Sequence, residues 1–202
     1  MCGRYAATAN PDELVEAFDV DVDATAEPGR SVLASPQTPA PGEPDYNMAP
    51  TKQAPVVLLR PERGSPDPAP VRQLRLLTWG LVPPWSADPR AGVRMINARA
   101  ESVLESRAYA GPARTRRCLV PARGWYEWQV WPTARDERDT PRKQPFFVSD
   151  AEREVIAFAG LYEFWRDRAI READDPAAWR TTFTIITTAA ESGLDRTHHR
   201  HP

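Results

Sequence analysis

The chain has 202 residues, 41% hydrophobic and 9% aromatic, so it can bury one full core and is not a disordered sequence. Its 26 basic and 28 acidic residues give a net charge of −2, which excludes a broadly cationic protein and confines any anion-binding surface to a local patch. It has neither an apolar run long enough to span a membrane nor an N-terminal secretion signal, so we expect a cytoplasmic protein.

In chain order, the first predicted element is a short helix. Asn10 supplies an N-cap, Pro11 suits the first helical turn and Glu13 completes a capping box, so a helix is predicted over residues 11–18. The range 21–45 is rich in proline and predicts a surface loop inserted into the domain. Residues 64–68 predict a hairpin loop between two strands.

Strands outnumber helices in the rest of the chain. A second helix is predicted over residues 99–109, ended by Gly111 and Pro112. Segments rich in β-branched and aromatic residues predict strands over 54–60, 71–79, 117–120, 125–130, 145–148, 155–161 and 181–188. This balance indicates an α+β domain built on antiparallel sheet, with no interior boundary that would divide it.

Cys2 is the first candidate for chemistry. If Met1 is removed, the chain begins with a cysteine whose α-amine and thiol, with ordinary pKa values of about 7.7–8.0 and about 8.5, are both partly nucleophilic near neutrality. Such a 1,2-aminothiol condenses with an aldehyde, because the amine forms an imine and the thiol then closes a five-membered thiazolidine ring. The alternative is a small buried residue in a first strand, which is also the interpretation of Cys118.

Glu127 is the second candidate, because it lies among aromatic residues in the segment Gly-Trp-Tyr-Glu-Trp. Trp125 and Glu127 share a face if this segment is a strand. Rings that exclude water from a carboxylate raise its pKa, which suits a general acid or base. The alternative is a glutamate that faces water while the tryptophan faces the core.

Three more residues indicate a bound ligand. Asn97 precedes the second predicted helix, where an N-cap role is the alternative. Arg99 would lie in the first turn of that helix, where a cation opposes the helix dipole, and this misfit indicates a phosphate contact. Trp85 ends a proline-stiffened loop and would stack on a base if exposed, or join the core if buried.

The histidines His198, His199 and His201 all lie in the C-terminal tail. The two cysteines are far from one another and no suitably spaced carboxylates complete a ligand shell. We therefore expect no metal site and no cofactor.

Taken together, these segments resemble the SRAP family of SOS response associated peptidases, the abasic site processing proteins. The most specific matches are the Cys-Gly-Arg start, the segment Ile-Asn-Ala-Arg-Ala-Glu and the segment Gly-Trp-Tyr-Glu-Trp. The matches follow the family order along nearly the whole chain, at residues 1–5, 46–51, 79–85, 96–101, 117–128, 159–163, 184–190 and 198–202.

The resemblance implies a single SRAP domain over residues 1–202, of α+β class, with an antiparallel, β-rich, barrel-like core and flanking short helices. It implies a monomeric bacterial protein, associated with the nucleoid during DNA damage, that binds single-stranded DNA and becomes covalently linked to abasic sites. The aldehyde of the opened abasic sugar is the electrophile that the aminothiol of Cys2 requires.

The resemblance also implies site residues. Cys2 matches the nucleophile, Asn97 the residue that orients its amine and the sugar, Glu127 the proton-transfer group, and His198 the histidine near the opening sugar. The family is also expected to remove Met1 autocatalytically. Positions that contact DNA in the family correspond to Arg4, Asn47, Pro50, Trp85, Arg99, Trp128 and Thr188.

Two departures from the family pattern concern the C terminus. His199 and His201 replace the aspartate and methionine of a His-Asp-Arg-Met-Pro motif. The chain ends at Pro202, so we expect a truncated C terminus that lacks a closing strand. Without that strand, a sheet edge would be unpaired and His198 would be only loosely held.

Two alternative functions remain open from the sequence. One is an N-terminal-nucleophile amidohydrolase of the glutamine amidotransferase kind, in which the free amine acts as the base for the thiol of Cys2. The other is a non-catalytic single-strand-binding module that uses only arginine and tryptophan side chains.

Overall fold

Antiparallel strands dominate the computed structural model, which describes residues 2–27, 36–62, 64, 66, 69–172, 175–190 and 200–202. The α-helices are α1 (Pro11–Ala17) and α2 (Ala110–Thr115), and short 3-10 helices cover Pro89–Arg94, Ala100–Ser102 and Pro176–Ala178. The strands are β1 (Tyr5–Ala7), β2 (Val22–Asp23), β3 (Asp45–Met48), β4 (Gln53–Pro61), β5 (Pro70–Trp79), β6 (Asn97–Arg99), β7 (Arg117–Ala122), β8 (Gly124–Arg135), β9 (Pro141–Val148), β10 (Ile156–Arg166), β11 (Trp179–Ala189) and β12 (Arg200–His201). No helix in these ranges is long and apolar enough to cross a membrane.

The larger sheet closes into a barrel. Its strands follow the order β12-β11-β10-β7-β4-β5-β2, and β11 also pairs with β5 in parallel, at Thr182 with Thr78 and at Phe183 with Trp79. This second pairing joins five strands, β5-β4-β7-β10-β11, into a ring. The smaller sheet has the order β3-β1-β8-β9 and shares one apolar core with the barrel. The predicted α+β class with a barrel-like antiparallel core is confirmed.

Tyr5 fixes the N-terminal strand to the barrel. It is completely buried and makes edge-to-face contacts with Trp79 at 5.2 Å and Phe158 at 5.8 Å between ring centroids. Trp79 in turn stacks on Phe183. Because aromatic pairs bury large areas with defined geometry, this cluster holds the first residues of the chain at one end of the barrel.

The helix predicted over residues 11–18 is confirmed, and the one over 99–109 is wrong. Asn10 and Glu13 form the expected capping box of α1. Asn97–Arg99 is instead the strand β6, which pairs in parallel with β11. Only a single 3-10 turn, Ala100–Ser102, lies inside the predicted range, and the second α-helix begins at Ala110. Gly111 and Pro112, taken as a stop signal, lie in the first turn of α2, where proline has no hydrogen bond to lose. Arg99 therefore lies in a strand and not in the first turn of a helix. The argument for a phosphate contact from an unfavourable helix dipole no longer applies to it.

All seven predicted strands are present. The sequence did not predict the five short strands β1, β2, β3, β6 and β12, because two to four residues give no periodic signal. Pro61 pairs with Pro70 on either side of the hairpin loop predicted at 64–68, of which residues 65, 67 and 68 lie outside the described part of the chain. The range 21–45 begins with β2 and ends on the first residue of β3, and its residues 28–35 lie outside the described part of the chain. At the C terminus, Thr188 pairs with His201 and Ala189 with Arg200, so the expected open edge of β11 is covered there by β12.

Gly80 permits the loop that leads from β5 to β6. Its φ is +120°, and a Cβ there would lie 2.5 Å from the carbonyl oxygen of Gly92. We expect Gly80→Ala to lower the free energy of unfolding by at least about 2 kcal/mol, through backbone strain and overlap. Urea denaturation measures this, with Gly111→Ala as the control, because a methyl at Gly111 meets only an ordinary contact. Equal stabilities of the two variants would contradict the close approach.

Candidate active site

Cys2 is held at the end of the barrel by the pairing of β1 with β8. Tyr5 pairs with Trp125, and the amide of Tyr126 donates to the carbonyl of Arg4 at 2.9 Å, so the N terminus runs back beside Glu127. The Cys2 side chain is completely buried, and its Sγ lies 3.8 Å from the carbonyl oxygen of Arg4. The predicted nucleophile therefore lies inside the fold next to the predicted proton-transfer group.

Asn97 reaches Cys2 from β6, which pairs with β11 of the larger sheet. Parallel pairing with β11 places Asn97 opposite Ile185, and the Trp79 indole donates to the carbonyl of Ile96 at 2.9 Å. From this position the Asn97 Nδ2 donates to the carbonyl oxygen of Cys2 at 2.8 Å. The side chain thus fixes the backbone of Cys2 directly, and it does so from a strand rather than from the helix N-cap considered for it.

The charge of Glu127 affects the ionisation of the Cys2 thiol. Glu127 is 1% exposed, and burial raises the pKa of its carboxyl. Burial, with the negative charge of Glu127 as a second cause, raises the pKa of the Cys2 thiol to about 12. The thiol is therefore protonated at neutral pH and needs a nearby base before it can act as a nucleophile.

Several buried polar atoms around Cys2 have no hydrogen-bond partner among the described residues. These atoms are the Tyr5 hydroxyl, Asn97 Oδ1, Trp125 Nε1 and Glu127 Oε1. These atoms offer donors and acceptors with which a polar substrate at Cys2 can pair.

The buried carboxyl of Glu127 predicts a pH-dependent cost in stability. Its pKa is raised in the folded protein, whereas an unfolded glutamate has a pKa of about 4.3. Below that value the carboxyl is protonated in both states. As pH rises from there to the raised pKa, the unfolded state loses its proton first and becomes relatively more favourable.

We therefore expect the free energy of unfolding of the wild type to fall, relative to that of Glu127→Gln, as pH rises from about 4.3 through the raised pKa of the Glu127 carboxyl. Urea denaturation at several pH values measures the difference. Parallel stability curves would show that Glu127 ionises in the fold as easily as in water.

The C-terminal strand closes the site on another side. The guanidinium of Arg200 forms a two-pronged ion pair with Glu101, at 3.1 Å and 2.8 Å, and its Nε donates to the Thr187 hydroxyl at 3.3 Å. The next residue, His201, is buried with its ring 5.7 Å from that of Trp125. His198, the predicted histidine of the site, lies outside the described residues.

The segment that carries Asn47 and Pro50 is fixed by an ion pair. Lys52 Nζ lies 2.6 Å from Asp45 Oδ2, and the other Asp45 oxygen accepts from the amide of Asn47 at 2.8 Å. Asn47 is exposed and Pro50 is half-buried. This segment pairs through β3 with β1, so it borders the strand that carries Cys2.

The other predicted DNA contacts lie on the surface. Arg99 and Thr188 are exposed, Arg4 is half-buried, and Trp85 and Trp128 are 44% and 37% exposed. Trp85 is therefore not a core residue. On the sheet, Arg99 is the register partner of Thr187, next to Thr188.

Sequence analysis did not predict a role for Arg107. Its guanidinium carbon lies 4.9 Å from the ring centroid of Trp85, a cation–π contact. The two residues are 22 positions apart in the chain, and no local pattern links them. In the described ranges, no group of histidine, cysteine and acidic residues is arranged to hold a metal ion.

Comparisons with known proteins agree on one family. The family model for SOS response associated peptidase (SRAP) matches residues 1–202. The abasic site processing protein YoaM of Bacillus subtilis is 32% identical over 204 residues, covering 100% of this chain and 74% of YoaM. The abasic site processing protein HMCES of Gallus gallus is 29% identical over 181 residues, covering 79% of this chain and 50% of HMCES. A crystal structure of a Bacteroides thetaiotaomicron protein has the same fold, with a TM-score of 0.71, 21% identity and coverage of 100% of this chain and 75% of that one.

Proposed function

Because the chain belongs to the SOS response associated peptidase (SRAP) family, we propose that it processes abasic sites in single-stranded DNA by forming a covalent link to them. The relatives YoaM and HMCES are named abasic site processing proteins, which supports a role in DNA repair and the DNA damage response. The observation that carries the mechanism is the hydrogen bond from Asn97 to the carbonyl of Cys2, beside the buried carboxyl of Glu127.

The reaction begins with removal of Met1, which the protein performs on itself and which frees the α-amine of Cys2. That amine attacks the aldehyde carbon of the opened abasic sugar and gives a carbinolamine. Protonation of its hydroxyl releases one water and leaves a protonated imine. The Cys2 sulfur then bonds to the imine carbon, the nitrogen keeps its proton as the ring N–H, the thiol proton goes to the base that protonated the hydroxyl, and a thiazolidine ring closes without any change in oxidation state.

Glu127 moves the protons in this sequence. Because burial raises the pKa of its carboxyl, it holds a proton that it donates to the departing hydroxyl. The resulting carboxylate is then the base that the Cys2 thiol needs, since the pKa of that thiol is raised to about 12. One group thus acts first as acid and then as base, and it ends in its starting state.

The remaining residues orient the substrate. Asn97 fixes the backbone of Cys2 and presents its unpaired Oδ1 to the amine or the sugar, while His198 assists opening of the sugar ring. Arg4, Asn47, Pro50, Arg99 and Thr188 contact the DNA backbone or the lesion. The exposed tryptophans Trp85 and Trp128 stack on bases or pack against sugar, which suits single strands because every base has an aromatic face.

We propose that residues 1–202 form one domain. This domain acts as a monomer on nucleoid DNA in the bacterial cytoplasm. Neither an amidohydrolase nor a purely non-covalent binding module uses the aldehyde-trapping chemistry of this site. If the protein releases no ammonia from glutamine, the amidohydrolase alternative is excluded. If it forms a covalent product that depends on the lesion, the non-covalent binding module is excluded.

The experiment is incubation of the protein with single-stranded DNA that carries one abasic site, followed by denaturing electrophoresis. We expect a protein–DNA band that survives denaturation, and no such band with DNA that lacks the lesion. Intact mass of the free protein should show that Met1 is absent. Binding without any denaturation-resistant band would contradict the proposal.

A further inference from the structure

Lys52 connects the proline-rich insert to the loop at residues 47–51, which carries two of the proposed DNA contacts. Its ammonium group lies 2.6 Å from Asp45 Oδ2 and donates to the carbonyl oxygen of Thr38 at 2.9 Å. The side chains of Lys52 and Asp45 are only 19% and 4% exposed. Because this ion pair is largely shielded from water, the loss of either partner would leave the other charge buried without compensation.

A second contact joins the insert to the residue that follows Lys52. The side-chain amide of Gln37 donates through Nε2 to the carbonyl oxygen of Gln53 at 3.0 Å, and its Oε1 accepts from the Gln53 amide at 2.6 Å. Gln53 begins β4, so the Gln37 side chain pairs with that strand as a neighbouring strand would. The insert therefore contacts two consecutive residues immediately after the loop.

The backbone of the loop is strained at Thr51. Its φ is +75°, in the left-handed region, which is unfavourable for a β-branched residue. The Thr51 amide donates to the carbonyl of Trp79 at 2.8 Å, and the Trp79 amide donates to the carbonyl of Lys52 at 2.9 Å. Such a conformation persists only where the surrounding contacts enforce it. The loop should therefore change shape when those contacts are weakened.

Asp45 links the ion pair to the start of the loop. One of its carboxylate oxygens binds Lys52, and the other accepts from the amide of Asn47 at 2.8 Å. The Asn47 side chain itself is exposed. A carboxylate beside a DNA-binding loop would by charge alone repel a polyanion. Here it is neutralised by Lys52 and orders the backbone from which Asn47 projects.

We propose that Gln37, Asp45 and Lys52 are positioning residues that hold the loop at residues 47–51 in the shape that contacts DNA. This assigns a role to the C-terminal part of the proline-rich insert. The inference rests on the proposed function, because it takes the exposed residues of the loop as DNA contacts. A loop that is already ordered loses less conformational entropy when DNA binds, so these contacts should strengthen binding.

The contacts should affect binding and not the chemical step. The groups proposed to act on Cys2 lie on other strands, Asn97 on β6 and Glu127 on β8. Weakening the contacts of the insert should therefore raise the DNA concentration that gives half the maximal rate of covalent product formation. The rate at saturating DNA should stay the same, which is the pattern expected when only binding is lost.

Asp45→Asn tests the proposal by the sign of its effect. Removal of a negative charge near DNA would by electrostatics alone strengthen binding, whereas loss of a positioning contact weakens it. We expect about tenfold weaker binding, as when one or two more side chains must be ordered on association. The measurement is the affinity for a single-stranded oligonucleotide with a tetrahydrofuran residue, an abasic analogue without an aldehyde, so that binding stays non-covalent.

Lys52→Met separates positioning from direct contact with a phosphate. If Lys52 bound a phosphate, its loss would reduce the slope of log affinity against log salt concentration by about 0.7 for a single strand. We expect weaker binding with the wild-type slope. A reduced slope would overturn the positioning role of Lys52.

Gln37→Ala tests the proposal even if the variants of the buried ion pair fold poorly, because Gln37 is uncharged and half-buried. It should also bind the oligonucleotide more weakly. Glu27→Gln is the matched control, because Glu27 belongs to the same insert but pairs with Arg75 on β5, and it should bind as the wild type does.

Wild-type affinity of folded Gln37→Ala, tighter binding by folded Asp45→Asn, or equal weakening by Glu27→Gln would overturn the proposal. Failure of the proposed function is distinguishable from these results. It would appear as no covalent product from the wild type with a true abasic oligonucleotide, whatever the affinities of the variants.

Discussion

Cys2→Ala is expected to abolish the denaturation-resistant protein–DNA product. Whichever residue is then N-terminal keeps an α-amine, and any imine that it forms with the abasic aldehyde hydrolyses when the protein unfolds. Without sulfur, no thiazolidine can close. Denaturing electrophoresis after reaction with abasic single-stranded DNA should show loss of the band to below detection.

The other cysteine provides the control. Cys118 lies buried in the barrel, its Sγ packs against Gly160, and burial raises the pKa of its thiol far above the usual range. Cys118→Ala should form the product at the wild-type level, provided that it folds. A product from Cys2→Ala, or its loss in folded Cys118→Ala, would contradict the assignment of the nucleophile.

Glu127→Gln is expected to slow formation of the product by about 10²–10⁴-fold, the usual contribution of a positioned general acid or base. Glutamine keeps the size of the side chain and its capacity for hydrogen bonds, but it cannot transfer a proton. Because the carboxyl must start protonated, the wild-type rate should decline as pH rises through its raised pKa. The variant should lack that decline while keeping the rise with pH that comes from deprotonation of the amine.

Rates measured over about pH 4 to pH 9, which brackets the ordinary pKa values of the glutamate, about 4.3, and the amine, about 7.7–8.0, test this prediction. Asn97→Asp is a useful comparison, because it alters the hydrogen bond to the Cys2 carbonyl but leaves Glu127 in place. A Glu127→Gln variant with the wild-type rate and pH profile would remove the proton-transfer role.

The long elements were predictable from local patterns, and the short ones were not. Alternating β-branched and aromatic residues predict β4, β5, β7, β8, β9, β10 and β11, and the capping box predicts α1. β6 escaped prediction because three residues, Asn97–Arg99, form a strand only through parallel pairing with β11. The same tertiary pairing turned a predicted helix start into the strand that carries Asn97 to Cys2.

The candidate site divides in the same way. The chemistry of Cys2 and the effect of aromatic neighbours on Glu127 follow from residue types and spacing alone. The hydrogen bond between Asn97 and Cys2, the ion pair between Arg200 and Glu101, and the contact of Arg107 with Trp85 join residues far apart in the chain. No period or motif encodes such contacts, so they emerge only from the folded structure.

The candidate site contains a group that lowers the stability of the folded protein. A buried carboxyl at Glu127 opposes folding once it is ionised, yet the proposed reaction requires a desolvated acid beside a buried thiol. Proteins commonly retain such unfavourable groups at functional sites. The aromatic core around Tyr5 provides the stabilisation that holds them together.

The most direct test is the mass of the cross-linked peptide after protease and nuclease digestion and borohydride treatment. The account predicts a peptide that begins at Cys2, without Met1, and carries the abasic residue with the loss of one water. Because a thiazolidine is not reduced, borohydride should leave that mass unchanged. A cross-link on any other residue, one that retains Met1, or a gain of two hydrogens from a reducible imine would contradict it.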